Sequence, residues 1–90
     1  MDLQNNDGYT ALMLASCNDG HTDIVKLLLD KRADMDLQNK YGQTALMDAS
    51  CNGHTDIVKQ LLDKGANMDL QNKYGQTALM DASYAGHDGL

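Results

Sequence analysis

Three histidines and two cysteines are the residues in this 90-residue chain whose chemistry could be catalytic or metal-binding. His21, His54 and His87 each follow a glycine, and the first two sit two residues ahead of Asp23 and Asp56. A His-x-Asp pair could serve acid–base work or hold a metal. Both need side chains that converge on one point. Cys17 and Cys51 could form a disulfide or supply a thiolate nucleophile. A disulfide requires Cα atoms within about 7 Å, and a nucleophile requires a neighbouring base. Asp34 and Asp36, with Asn67 and Asp69, bring oxygen ligands together. They lack the central glycine and the twelfth-position glutamate of a calcium loop. The chain contains no glycine-rich phosphate loop, no nucleophile elbow and no His-Glu-x-x-His zinc motif.

The spacing of these residues explains them better than chemistry does. Residues 35–54 and 68–87 read MDLQNKYGQTALMDAS followed by CNGH and YAGH, so 18 of 20 positions agree at a separation of 33. Residues 21–39 and 54–72 agree at 16 of 19 positions, again 33 apart. A third, diverged copy occupies the start. There Gly8 and Gly42 are 34 apart, and Asp19 marks the extra residue. The histidines therefore occur once per repeat, as do Cys17, Cys51 and Tyr84. Equivalent side chains in stacked helical repeats lie about one helix diameter, roughly 10 Å, apart. That distance disfavours both a shared metal and a Cys17–Cys51 bond. The histidines read as loop residues bonding nearby backbone. Unpaired thiols fit a reducing, cytoplasmic compartment.

One repeat can be read residue by residue on the middle copy. Asn39-Lys40-Tyr41-Gly42 has turn chemistry, with Gly42 free to take positive φ. Thr44 is placed to cap a helix from Ala45 to about Asn52. Leu46, Met47, Ala49 and Ser50 give that helix a face that neighbours can approach closely. Asn52-Gly53 ends it, both residues tolerating the left-handed conformation. A second helix starts near His54-Thr55, with Asp56 in its first turn, where the helix dipole favours an anion. Ile57, Val58, Leu61 and Leu62 form one apolar stripe, and Gly65 follows its end. Neither helix reaches the ~12–15 residues an isolated helix needs. Each unit must therefore bury its apolar faces against copies of itself.

A 33-residue turn–helix–helix unit with these marks resembles the ankyrin repeat. The resemblance rests on Gly42, Thr44, Leu46, Ala49, Gly53-His54, Ile57-Val58, Leu61-Leu62 and Gly65-Ala66-Asn67, and it recurs from Gly8 to Asp34 and from Gly75 to His87. It implies an all-α solenoid of stacked helix-turn-helix units joined by extended turns. Residues 1–4 would end a preceding unit, 5–38 form the first repeat, 39–71 the second, and 72–90 part of a third. The family's Thr-Pro-Leu-His opening reads Thr-Ala-Leu-Met in all three copies. Alanine there is less pre-organised than proline, and methionine replaces a polar link with flexible packing. Arg32 stands where Gly65 stands one repeat later. With Asp19, these departures predict a looser first repeat.

The resemblance also implies function: non-catalytic protein binding, with no cofactor, through projecting turns and an inner helix surface. Lys40, Tyr41 and Gln43, with Lys73, Tyr74 and Gln76, fall on the turns. Asp48, Cys51, Asp81 and Tyr84, with Leu14, fall on or near the inner helices. Tyrosines would supply large, low-entropy anchors. The two later copies carry nearly identical residues at these positions. That fits recent duplication, a periodic partner or a designed array. The partner is a protein the sequence does not name.

Composition sets the remaining bounds. All 13 acids are aspartate against 7 Lys and Arg, for a formal charge of −6, which disfavours nucleic acid. No apolar run approaches the ~20 residues of a membrane span. No apolar h-region marks a secretory leader. The array has no visible polar capping repeat, and bare ends expose apolar stacking faces. Fraying beyond about Ser83, or self-association through that end, is the alternative expectation.

Overall fold

The structure is a computed structural model that describes residues 3–17 and 20–84, the side chains of Ala82 and Tyr84 excepted. Five α-helices make up its regular structure among the described residues: α1 (Ala11–Ser16), α2 (Thr22–Asp30), α3 (Ala45–Cys51), α4 (Thr55–Asp63) and α5 (Ala78–Tyr84). Helices α1, α3 and α5 stack as an inner layer. Helices α2 and α4 form an outer layer, each packed on the inner helix that precedes it.

Threonine starts every inner helix. The Oγ1 atoms of Thr10, Thr44 and Thr77 accept from the backbone N–H of Met13, Met47 and Met80, at 3.2, 3.2 and 3.4 Å. This satisfies one orphan donor per helix. The inner helices then bury small and medium side chains. Ala45, Leu46, Met47, Ala49 and Ser50 are all buried. Helix α3 ends at Asn52-Gly53, where the sequence reading puts it. Asn52 has φ −93°, an ordinary value, and only Gly53, at φ 72°, is left-handed. One glycine suffices to reverse the chain.

The outer-helix stripe also divides more sharply than its periodicity suggests. Ile57 and Leu61 are 1% and 0% exposed, whereas Leu62 is 40% exposed. In α2 the pattern inverts: Ile24 is 48% exposed and Leu29 only 7%. The stripe is two rows. Ile57 and Leu61 face the preceding unit, and Leu29 faces the following one. Ile24 and Leu62 have no outer-helix neighbour on their own side among the described residues.

The turns are held by a repeated asparagine. Oδ1 of Asn5, Asn39 and Asn72 each accepts two backbone N–H groups, from Asp7 and Tyr9, Tyr41 and Gln43, and Tyr74 and Gln76, at 2.8–3.0 Å. Neighbouring turns are then bonded to one another. Lys40 N–H donates to Asp7 C=O and Lys73 N–H to Tyr41 C=O, both at 2.9 Å. Gln4 Nε2 bridges Gly8 and Gln38 carbonyls, and Gln38 Nε2 bridges those of Gly42 and Gln71, at 2.8–3.1 Å. Arg32 takes φ 64° where Gly65 takes 93°, a strain of about 1 kcal/mol for a residue with a Cβ. The expectations for Asp19, His87 and the chain beyond Tyr84 lie outside the described residues.

Candidate functional site

The turn residues singled out by sequence form a ladder of charge and ring. Lys40 Nζ lies 5.0 Å from the centroid of the Tyr41 ring, and Lys73 Nζ lies 5.2 and 5.3 Å from the Tyr41 and Tyr74 centroids. These are cation–π distances. Lys40 also pairs with Asp7 at 2.9 Å, and that carboxylate, with Tyr41, raises the lysine pKa. The ladder rests on the inter-turn hydrogen bonds, which fix the spacing of successive turns. Tyr41, flanked by two ammonium groups, is 37% exposed, and Tyr74 is 70% exposed.

The inner helices carry the second row. Leu14, Asp48 and Asp81 are equivalent positions on α1, α3 and α5. Leu14 is exposed, Asp48 half-buried and Asp81 buried. Gln43 connects the turns to this row. Its Nε2 donates to Asp48 Oδ1 at 3.3 Å. Asn72 Nδ2 donates to Oε1 of Gln43 at 2.8 Å and of Gln76 at 3.1 Å. The Oδ2 atoms of Asp48 and Asp81 are buried and accept no hydrogen bond. Burial, and the neighbouring charge of Asp81, push the Asp48 carboxyl up to about 6 against the opposing Gln43 bond. Burial likewise raises Asp81. Cys51, exposed on α3, has a raised thiol pKa from burial of its sulfur and from both aspartates. A raised thiol is a poor nucleophile. Neither cysteine is in a disulfide. Cys17 Sγ donates to Leu14 C=O at 3.3 Å.

The first unit lacks this network. Tyr9 stands where Gln43 and Gln76 stand, and Leu14 where the aspartates stand. As a result Asn39 Nδ2 is buried with no acceptor, whereas Asn72 Nδ2 has two. Sequence reasoning missed Asn72 as part of the site. An asparagine three residues before each turn glycine was the available signal.

His21 and His54 sit at the N-caps of α2 and α4. The His54 ring packs against Gly20, where a Cβ would come within 2.8 Å of it. Among the described residues no three or more metal-ligating side chains converge, and no helix is long and apolar enough to cross a membrane. The Tyr84 side chain lies outside the described residues.

Inner and outer helices, threonine caps and hydrogen-bonded turns thus recur with the 33-residue period, and a family comparison agrees with that architecture. A family model for ankyrin repeats, in three copies, matches residues 1–72 and 20–90. The chain belongs to the ankyrin repeat family. No curated protein matches it. Ankyrin repeats serve in general as protein–protein interaction modules and are typically non-catalytic. In this ankyrin array the turns of the second and third units are identical in sequence, and the inner helices differ at Cys51 and Tyr84.

Proposed function

We propose that this ankyrin array binds a protein partner, without chemistry, in the groove between its projecting turns and its inner helices. The contacts are Lys40, Tyr41, Gln43, Lys73 and Tyr74 from the turns, and Asp48, Cys51, Asp81 and Tyr84 from the helices. The observation that carries the reading is Gln43, whose side chain ties the aspartate row to the turn bearing the lysine–tyrosine ladder. The two surfaces are thereby held as one pre-ordered face, which lowers the ordering cost of binding. Cysteines outside any disulfide suit a cytoplasmic, reducing setting. Replacing Tyr41 and Tyr74 together by alanine should weaken a partner captured from cell extract by more than about 2 kcal/mol, the hot-spot range. Affinity that survives the double change rules this face out.

One observation favours a second reading, end-to-end self-association. Val58, Leu62, Met68 and Leu79 border an apolar groove of about 130 Å³, with Leu62, Met68 and Leu79 at 40%, 59% and 70% exposure. Light scattering behind a sizing column should then show mass rising with concentration in the micromolar range. A monomer throughout removes this reading.

A further inference from the structure

Resting on the end-to-end reading, we infer that a second copy of this chain joins the array head to tail. The first turn and α1 of one copy dock on the last turn and α5 of the other, in the register that joins units within the chain.

Inside the chain each turn meets the next through three contacts. The backbone N–H of Lys40 donates to Asp7 C=O, and that of Lys73 to Tyr41 C=O, both at 2.9 Å. Gln4 Nε2 donates to Gln38 C=O at 3.1 Å, and Gln38 Nε2 to Gln71 C=O at 2.9 Å. Gly8 and Gly42 lie against backbone of the following turn, where a Cβ would stand 2.9 Å from Asn39 Cα or 2.7 Å from Lys73 N. The last turn lacks all three. Among the described residues Tyr74 C=O accepts no backbone N–H, and the Gln71 side chain donates no such bond. Gly75 has nothing within 4 Å of its Cβ position.

The first turn holds the matching groups. Asn6 and Gln4 occupy the positions of Lys40 and Gln38. Both are exposed, and among the described residues Asn6 N–H has no acceptor and Gln4 C=O no donor. One end thus offers a C=O and a side-chain amide, the other an N–H and a C=O, in the arrangement the interior turns already use. The inner helices repeat the match. Ala45 and Ala78 are 1% and 6% exposed, whereas Ala11, their equivalent at the head, is exposed. Met13 and Met47 are each 1% exposed, whereas Met80 at the tail is 44% exposed. The polar groups are hydrated while the ends are free, so they fix register. Burial of Ala11 and Met80 drives the contact. Each join leaves one head and one tail open, so copies add in a string.

The test is sedimentation velocity of the full chain across micromolar concentrations, with two variants. The head-blocked protein carries Asn6→Pro and Ala11→Glu. Proline removes the donor at the second position of the Asn5–Gly8 turn, where it is well tolerated, and glutamate suits the first turn of a helix. The tail-blocked protein carries Gly75→Ala and Met80→Glu. The alanine Cβ fills the space the docking turn needs, and glutamate three residues after Thr77 completes a capping box. Circular dichroism verifies both folds. The unaltered chain should grow past the dimer. Each variant alone should associate more weakly by roughly tenfold or more. Their equimolar mixture should form a dimer and stop, because the intact tail of one meets the intact head of the other. A head-blocked protein that associates like the unaltered chain shows tail-to-tail contact, and overturns this register while leaving the end-to-end reading in place. A mixture that stays monomeric also overturns it. An unaltered chain that stays monomeric removes the end-to-end reading itself.

Discussion

Replacing Gly42 by alanine is expected to destabilise the array by about 3 kcal/mol, read as a lowered midpoint of urea unfolding. Two costs combine. Gly42 has φ 76°, where a Cβ costs roughly 1–2 kcal/mol. The added Cβ would also stand 2.7 Å from Lys73 N and 2.8 Å from Asn72 Cα. Both are backbone atoms of the next turn, so relief requires the units to part, an overpacking cost of about 1–3 kcal/mol. Gly75 separates the two contributions. It has the same φ of 76° and nothing within 4 Å of its Cβ position. Gly75→Ala should therefore cost only the backbone strain, about 1 kcal/mol. Equal losses at the two glycines would show that the turns are not in firm contact.

Asp48→Asn is expected to stabilise the array at pH 7 by about 2 kcal/mol and to leave it nearly unchanged at pH 4. The folded carboxyl titrates near 6, raised from 3.8, chiefly by burial. A raised acid binds its proton more tightly folded than unfolded. Stability from this group is thus full below pH 3.8 and falls as pH rises towards 6. A tenfold difference in proton affinity is worth about 1.4 kcal/mol, and solvent screening around a half-buried group reduces that yield. Asparagine keeps an acceptor for Gln43 and is neutral at every pH. The measurement is the difference in unfolding free energy between the two proteins from pH 4 to 7. A flat difference would mean that Asp48 is hydrated when folded.

Much of the fold was legible because one physical pattern is written three times. Thr44 before Ala45-Leu46-Met47 specified a capped helix, and Gly42 a positive-φ turn. What periodicity could not supply was direction across the stack. Ile57 and Leu62 belong to one stripe in sequence, but the first is fully buried and the second 40% exposed. The candidate site was legible as positions and illegible as a network. Gln43 and Asp48 were identifiable as surface residues on separate elements. Their bond, and the link through Asn72, depend on the rise between units, which the spacing of 33 does not contain. The unsatisfied Asn39 amide followed from Tyr9 in place of glutamine, a difference visible in the repeat yet meaningless until Asn72 was seen holding two glutamines.

The bonds between turns set how the array can flex. Lys40 to Asp7, Lys73 to Tyr41, and the bridges of Gln4 and Gln38 all join one edge. On the outer side, α2 and α4 meet through apolar side chains such as Leu29, Ile57 and Leu61. Hydrogen bonds are sensitive to angle and length, whereas apolar contact is non-directional. The turn edge is therefore stiff and the outer edge compliant, like a spine with its vertebrae tied along one side. Bending spreads or closes the outer helices while the distance from Tyr41 to Tyr74 stays fixed. The array can alter its curvature without changing the ruler it presents.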